Sequence, residues 1–376
     1  MPTLSFYIKY IFFLFKRFST SSIKFMFFIE FYVLIKLIKE QKAFKFISEE
    51  VCYMALKDFF IALSENQFLN DNAKKYGLKL GAQTVVAGTN LDEVIISIQK
   101  LNAQGISCTV DHLGEFVQNE AEAITVKEEI LHLIEVIHEH QLDAHISLKP
   151  SQLGLNLNVD FCYQNIEEIV SCAQQSKIFV NFDMENYERL QTTLDFVLQL
   201  SKTYDNVGTV IQAYLHRAMD DLETLKNTRV RIVKGAYKEP ETVAFQTKGE
   251  IDANFIRLAE CHLLNGKFTS IATHDHRIIA HLQTFIREQA IAKEKYEFQM
   301  LYGFRTDLQE SLANEGYPFC TYIPYGEDWY GYFMRRLAER PQNINLVAKQ
   351  VFNKKTNTLI GIGAVTFLLG RLTKKK

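Results

Sequence analysis

Several signatures are missing from this sequence: a CxxC pair, a GxGxxG turn, a GxSxG elbow and any apolar run near the ~20 residues that cross a bilayer as a helix. Without a CxxC, the six scattered cysteines (Cys52, Cys108, Cys162, Cys172, Cys261 and Cys320) predict reduced, buried thiols in a cytosolic protein. Without a GxSxG or a paired Cys and His motif, acyl transfer has no candidate nucleophile. Charge of either sign is also not in excess. A net charge of −2 with 23% charged residues lacks the basic surface of a nucleic-acid binder, and no nucleic-acid partner is expected.

Glycine and aspartate are absent from residues 1–53, a segment with eight Lys or Arg and 15 of the chain's 47 aromatic residues. Lys9, Lys16, Arg17 and Lys24 interrupt its apolar stretch, so it fails as a signal peptide. It reads either as a basic, aromatic helix pair at a headgroup boundary or as AT-rich upstream sequence, with translation starting at Met54. The second is the expectation. At the other end, Leu359–Gly370 is followed by Arg371, Lys374, Lys375 and Lys376. Twelve mostly apolar residues suit a short one-leaflet anchor with its basic cluster at anionic headgroups, or equally a docked last helix. Residues 353–376 are therefore an apolar-basic tail, and the expected location is cytoplasmic, peripheral at the inner face of the cell membrane if the tail anchors.

Between these ends, short β-branched runs recur at 106–115, 143–150, 178–185, 206–214, 230–237, 269–275, 296–301 and 319–326. Stretches such as 124–141 separate them, with apolar residues at helix spacing. Eight such alternations predict an α/β fold, a closed (β/α)8 TIM-type barrel, with residues 54–104 as N-terminal helices packed against it. An open, doubly wound sheet is the alternative, favoured by an early Gly-rich turn that the sequence lacks.

Most runs begin apolar and end polar: Asp111 and Glu115, Lys149, Asp183 and Glu185, Gln212, Arg231 with Lys234, His274 with Asp275, Gln299, Tyr322. In a barrel these ends share one face, where catalytic groups gather. They predict a cation-rich pocket with at least one carboxylate, suited to a small zwitterion or anion. A metal-dependent hydrolase built on His274 and His276 is the rival reading. His276 falls past the strand end, no further His or Cys cluster stands at ligand spacing, and no metal is expected.

The strings LKPSQLGL (148–155), VNFDMENY (180–187), VIQAYLHR (210–217), RIVKGAYKEP (231–240), ATHDHR (272–277), EFQMLYGFR (297–305) and TYIPYGEDWYGYFMRRLAERPQN (321–343) resemble, in content and order, the bacterial single-function proline dehydrogenases. The resemblance covers about residues 55–350, so one barrel domain with a helical preface is expected over 54–352. It implies a distorted barrel that holds FAD without a Rossmann motif and oxidises L-proline to 1-pyrroline-5-carboxylate by hydride transfer, with a quinone as electron acceptor. It also implies that Arg231 lies near the accepting flavin nitrogen, with Asp183 deep in the site. Met184, Gln212, Lys234, Gly235, Ala236, Thr273 and His274 would touch FAD. Lys149, Arg335 and Arg336 would hold the substrate, Tyr322, Tyr237 and Leu301 would pack its ring, and Glu115 would gate the site by pairing with Arg335. Lys238 departs from the family, where many members have Trp, which leaves the outer FAD contacts open. Physically, two guanidiniums can converge on one carboxylate, although neighbouring helix residues point roughly 100° apart.

Overall fold

Eight parallel strands close in chain order, with β8 pairing back to β1: β1 (Ser107–His112), β2 (Ala144–Leu148), β3 (Val180–Phe182), β4 (Val207–Gln212), β5 (Arg229–Val233), β6 (Phe268–Ala272), β7 (Tyr296–Leu301) and β8 (Phe319–Tyr325). The structure, a computed structural model, describes Ser64, residues 82–114 and residues 117–339. Each strand coincides with one of the eight β-branched runs, β5 and β6 starting one residue before theirs, so the barrel expected from the alternation is the fold. The polar ends of several runs, such as Lys149, Asp183 and Lys234, lie just past the strands and enter the loops.

Helices α1 (Leu91–Asn102), α2 (Glu120–Glu139), α3 (Val159–Gln175), α4 (Tyr187–Leu200), α5 (Ala218–Thr224), α6 (Lys248–Asn265), α7 (His276–Glu288) and α8 (Thr306–Asn314) follow or precede the strands around the outside. Side-chain caps start many of them. Asn90, Asn119 and Asn158 accept from the backbone N–H of Glu93, Glu122 and Phe161, and Asp275 accepts from Arg277. Each satisfies a donor that a helix start otherwise leaves unpaired. The helices turn buried stripes inward, such as Val126, Ile130, Leu133 and Ile137 of α2. These meet the outward side chains of the strands, Val110, Ile146, Val180, Ile232 and Ile271 among them, in one buried cluster. The apolar core is therefore the layer between strands and helices.

The chain divides into two compact units, one over Gln83–Trp329 and one made of Met1–Ala82 with Tyr330–Lys376. In the second unit the described residues include Tyr330 to Glu339 of α9 (Trp329–Glu339). The expectations for residues 1–53, for nearly all of the preface before Ala82, for Glu115 and for the tail from 353 lie outside the described residues. Among the described residues no helix is long and apolar enough to cross a membrane.

Candidate active site

Side chains in a strand alternate between faces, so positions two apart look into the barrel. Here those positions are polar: Thr109 and Asp111, His145 and Ser147, Arg229 and Arg231, Glu297 and Gln299, with Asn181 and Asp183 continuing the pattern at β3. At the C-terminal end the centre is Asp183. Its Oδ1 accepts from Ser147 Oγ at 2.8 Å, Arg231 at 2.7 Å and Asn181 Nδ2 at 3.3 Å, and its Oδ2 accepts from the Tyr322 hydroxyl at 2.7 Å. Arg231 also reaches Ser147 Oγ at 3.1 Å and Thr109 Oγ1 at 3.0 Å, with its guanidinium carbon 5.2 Å from the Tyr322 ring centroid. Lys149 Nζ stands 2.6 Å from Asp111 Oδ2 and 3.8 Å from Asp183 Oδ2. Burial, with Asp111 and Asp183 adding to it, pushes the Tyr322 phenol well above its ordinary range. Tyr322 therefore stays a donor.

Around this centre lie the other candidates. Leu301 ends β7 beside Tyr322 in register, and Met184 is buried next to Asp183. Gln212 donates to the Glu185 carbonyl at 2.9 Å, and the Glu185 carboxylate accepts from the Ser151 N–H at 3.0 Å, fixing the loop that carries Lys149. Lys234 bridges Asp252 at 2.5 Å and Asp275 at 3.1 Å. Burial pushes the Asp275 carboxyl up, and Lys234, the Arg277 N–H and Lys248 together overcome it, leaving Asp275 down at about 2. Gly235 has φ +110°, and a Cβ there would meet the Tyr214 ring at 2.1 Å, so only glycine lets the chain pass that ring. Buried Thr273 accepts from the Asp275 N–H at 3.2 Å, and half-buried His274 packs its ring 5.5 Å from that of Phe304. Ala236 and Tyr237 are exposed. Tyr237 sits four residues beyond β5 in a solvent-facing loop and is not gathered into the central cluster.

The cations expected at the strand ends come with carboxylate partners among the described residues: Lys149 with Asp111, Arg231 with Asp183, and Lys234 with Asp252. The polarity also runs deeper than the strand ends. At the opposite end of the barrel Arg229 lies between the Phe179 and Phe268 rings, 4.4 and 4.2 Å from their centroids, and donates to Glu297 at 2.5 Å. Ser270 and Gln299 donate to the same carboxylate oxygen. His145, Glu297 and Cys320 gather there with possible ligand atoms within 4.8 Å of one another. Arg229 already occupies Glu297, and burial pushes the Cys320 thiol well up and the His145 ring well down. The cluster is an ion pair with neutral neighbours. Among the described cysteines Cys108, Cys162 and Cys320 are buried free thiols, as expected, whereas Cys172 and Cys261 are only half-buried.

The sequence profile described as proline dehydrogenase matches residues 94–349. Proline dehydrogenase 2 of Bacillus subtilis (strain 168) is 46% identical over 304 residues, which are 80% of this chain and all of that protein. The chain belongs to the proline dehydrogenase family. Its enzyme class is accordingly that of an oxidoreductase, a proline dehydrogenase. The Deinococcus radiodurans proline dehydrogenase is 39% identical over 71% of this chain and 89% of its own length. Among solved structures, proline utilization A from Bdellovibrio bacteriovorus, inactivated by N-propargylglycine, superposes with a TM-score of 0.65 at 26% identity. That match covers 72% of this chain and 33% of that one, so this proline dehydrogenase spans about a third of that structure's length.

Of the residues singled out in the sequence, Asp183, Arg231, Lys149 and Tyr322 come together directly, with Leu301 and Met184 beside them in strand register or sequence. Arg335 and Arg336 lie on α9, both half-buried, with the Arg336 guanidinium 5.0 Å from the Tyr332 ring centroid. Thr109, Ser147 and Asn181 were missed as partners of the centre: Thr109 accepts from Arg231, Asn181 donates to Asp183, and Ser147 does both. Each stands two residues before a residue that was singled out, and the two-residue period of strands was the signal that could have found them.

Proposed function

We propose that this proline dehydrogenase is FAD-dependent and oxidises L-proline to 1-pyrroline-5-carboxylate, the first step of proline catabolism, with electrons passed on to a quinone. The observation that carries the reading is the hydrogen-bonded centre of Asp183, Arg231, Lys149 and Tyr322 in a chain of this family. FAD, when bound, supplies the two-electron acceptor for a hydride. Support for a flavin comes from Arg231, whose Nε is buried without a partner among the described residues and suits an acceptor atom carrying electron density. Gly235 supports it too, by keeping the backbone clear after β5.

In this reading Arg231 faces the accepting ring, and Met184, Gln212, Lys234, Gly235, Ala236, Thr273 and His274 hold the cofactor. Lys149 meets the substrate's polar end. Tyr322 and Leu301 press its apolar ring toward the acceptor, with Tyr237 added on the resemblance alone, so that orientation supplies much of the rate. Arg335 and Arg336 are assigned to the carboxylate, and Glu115 to a gating pair with Arg335, on the resemblance alone. Asp183 holds Arg231 and Tyr322 in place. The same reading takes 54–352 as the catalytic domain, with 353–376 as a peripheral membrane contact that brings the enzyme to its quinone. The colour of the purified protein tests it. A yellow preparation bleached anaerobically by proline is expected, and a colourless one, or one that proline leaves yellow, refutes it.

A further inference from the structure

Hydride loss from the carbon of a secondary amine draws on the nitrogen lone pair. An amino acid near neutral pH brings that nitrogen protonated. One proton must leave it before the hydride leaves carbon, and the centre offers two carboxylates to receive it. They are unlike. Asp183 already accepts from Ser147, Arg231 and Asn181 at Oδ1 and from Tyr322 at Oδ2, so four donors already hold it in its charged form. Asp111 is fully buried, its Oδ2 has Lys149 at 2.6 Å, and its Oδ1 has no partner among the described residues. The charged and titratable groups around it are Lys149 after β2, Asp183 after β3, Arg231 of β5, and Tyr322 and Tyr325 of β8. Burial pushes the Asp111 carboxyl up; Lys149 opposes this most strongly, Asp183 adds to it, and the Tyr322 hydroxyl also opposes it. Between the two carboxylates stands Lys149 Nζ, 2.6 Å from one and 3.8 Å from the other.

Resting on the proline-oxidising reading, we propose that Asp111 stores the proton drawn from the substrate nitrogen and is filled through Lys149. Lys149 gives one N–H proton to Asp111. The neutral Lys149 amine then takes a proton from the substrate ammonium, breaking an N–H bond there and forming one on Nζ. The freed lone pair forms the C=N bond as the C–H pair leaves as hydride, for which the flavin, when bound, would supply the two-electron acceptor. The substrate has lost one proton and one hydride. The Asp111–Lys149 pair holds one proton more than at rest and releases it to solvent as product departs. Asp111 touches no substrate in this scheme and acts only through Lys149.

Infrared difference spectra of the anaerobic holoenzyme test this directly. Adding proline should raise a protonated-carboxyl C=O band that shifts in deuterium oxide, and Asp111→Asn should lack that band. In stopped flow the same variant should bleach about 100-fold more slowly at pH 7, the usual scale of acid–base assistance. Its affinity for a proline analogue should stay within about threefold, and Asp111→Glu should recover part of the rate. A wild-type spectrum without the band overturns the proposal whatever the variants do. So does a band that survives in Asp111→Asn, or bleaching by that variant within about threefold of wild type. Wild-type enzyme that proline does not bleach overturns the parent reading as well, which separates the two failures.

Discussion

Arg336 is the residue at which the proposed function is most exposed to a single substitution. Arg336→Met removes a guanidinium assigned to the substrate carboxylate and leaves every residue assigned to FAD in place. A hydrogen bond to a charged group is worth ~1.5–3 kcal/mol, so the Michaelis constant for proline should rise about 10- to 150-fold while the flavin stays bound. Steady-state kinetics on flavin-loaded protein check it, and unchanged constants would remove Arg336 from the carboxylate site. At this scale the sequence was partly legible. Asp183, Arg231, Lys149 and Tyr322 stood out because a charged or phenolic residue near a strand end is chemically conspicuous. Ser147, Thr109 and Asn181 did not. A hydroxyl or amide within a β-branched run looks the same whether it faces helix or barrel axis, and only the pairing register tells which.

Between α6 and β6, His262 shows how an element junction makes stability depend on pH. Its ring is buried, with Nδ1 2.8 Å from Thr269 Oγ1, and a Cβ on Gly266 would lie 2.3 Å from it. Burial lowers its pKa from 6.5 to about 4. The unfolded chain thus binds a proton in a window where the folded one does not, so stability rises with pH across it. The contribution is complete above about pH 6.5 and is lost as pH falls toward 4. At pH 5 the loss should be about 2 kcal/mol, and buried His145, also held well below its ordinary value, acts with the same sign. Urea unfolding at pH 7.5 and pH 5 should show this slope in wild type and a shallower one in His262→Gln; equal slopes would remove His262 from the account. The elements themselves were legible, since all eight strands match their runs to within one residue at their starts. Their ends were not, because Lys149, Asp183 and Lys234 continue a strand's chemistry after its pairing has stopped.

For the whole molecule, the tail should decide where the enzyme works. Each basic residue near an anionic surface adds ~1 kcal/mol, so Arg371, Lys374, Lys375 and Lys376 could together add about 4 kcal/mol at low ionic strength, and less as salt screens them. The Met54-start enzyme should sediment with anionic vesicles and release partly in high salt. Truncation after Asn353 should abolish sedimentation and activity with vesicle-embedded quinone while sparing activity with a soluble dye. Equal sedimentation of both proteins would return the tail to the docked-helix reading. Inside the barrel, Arg229 and Glu297 tie β5 to β7 across a buried space. Arg229→Met alone should cost ~3–5 kcal/mol by stranding the carboxylate, whereas Arg229→Met with Glu297→Gln should recover most of it, as urea unfolding of the set would show. Two additive losses would deny the coupling. Such a pair cannot be changed one member at a time without passing through a crippled intermediate. Over descent the two positions should drift together or stand still, and the barrel's charged interior should be among the slowest parts of the sequence to change.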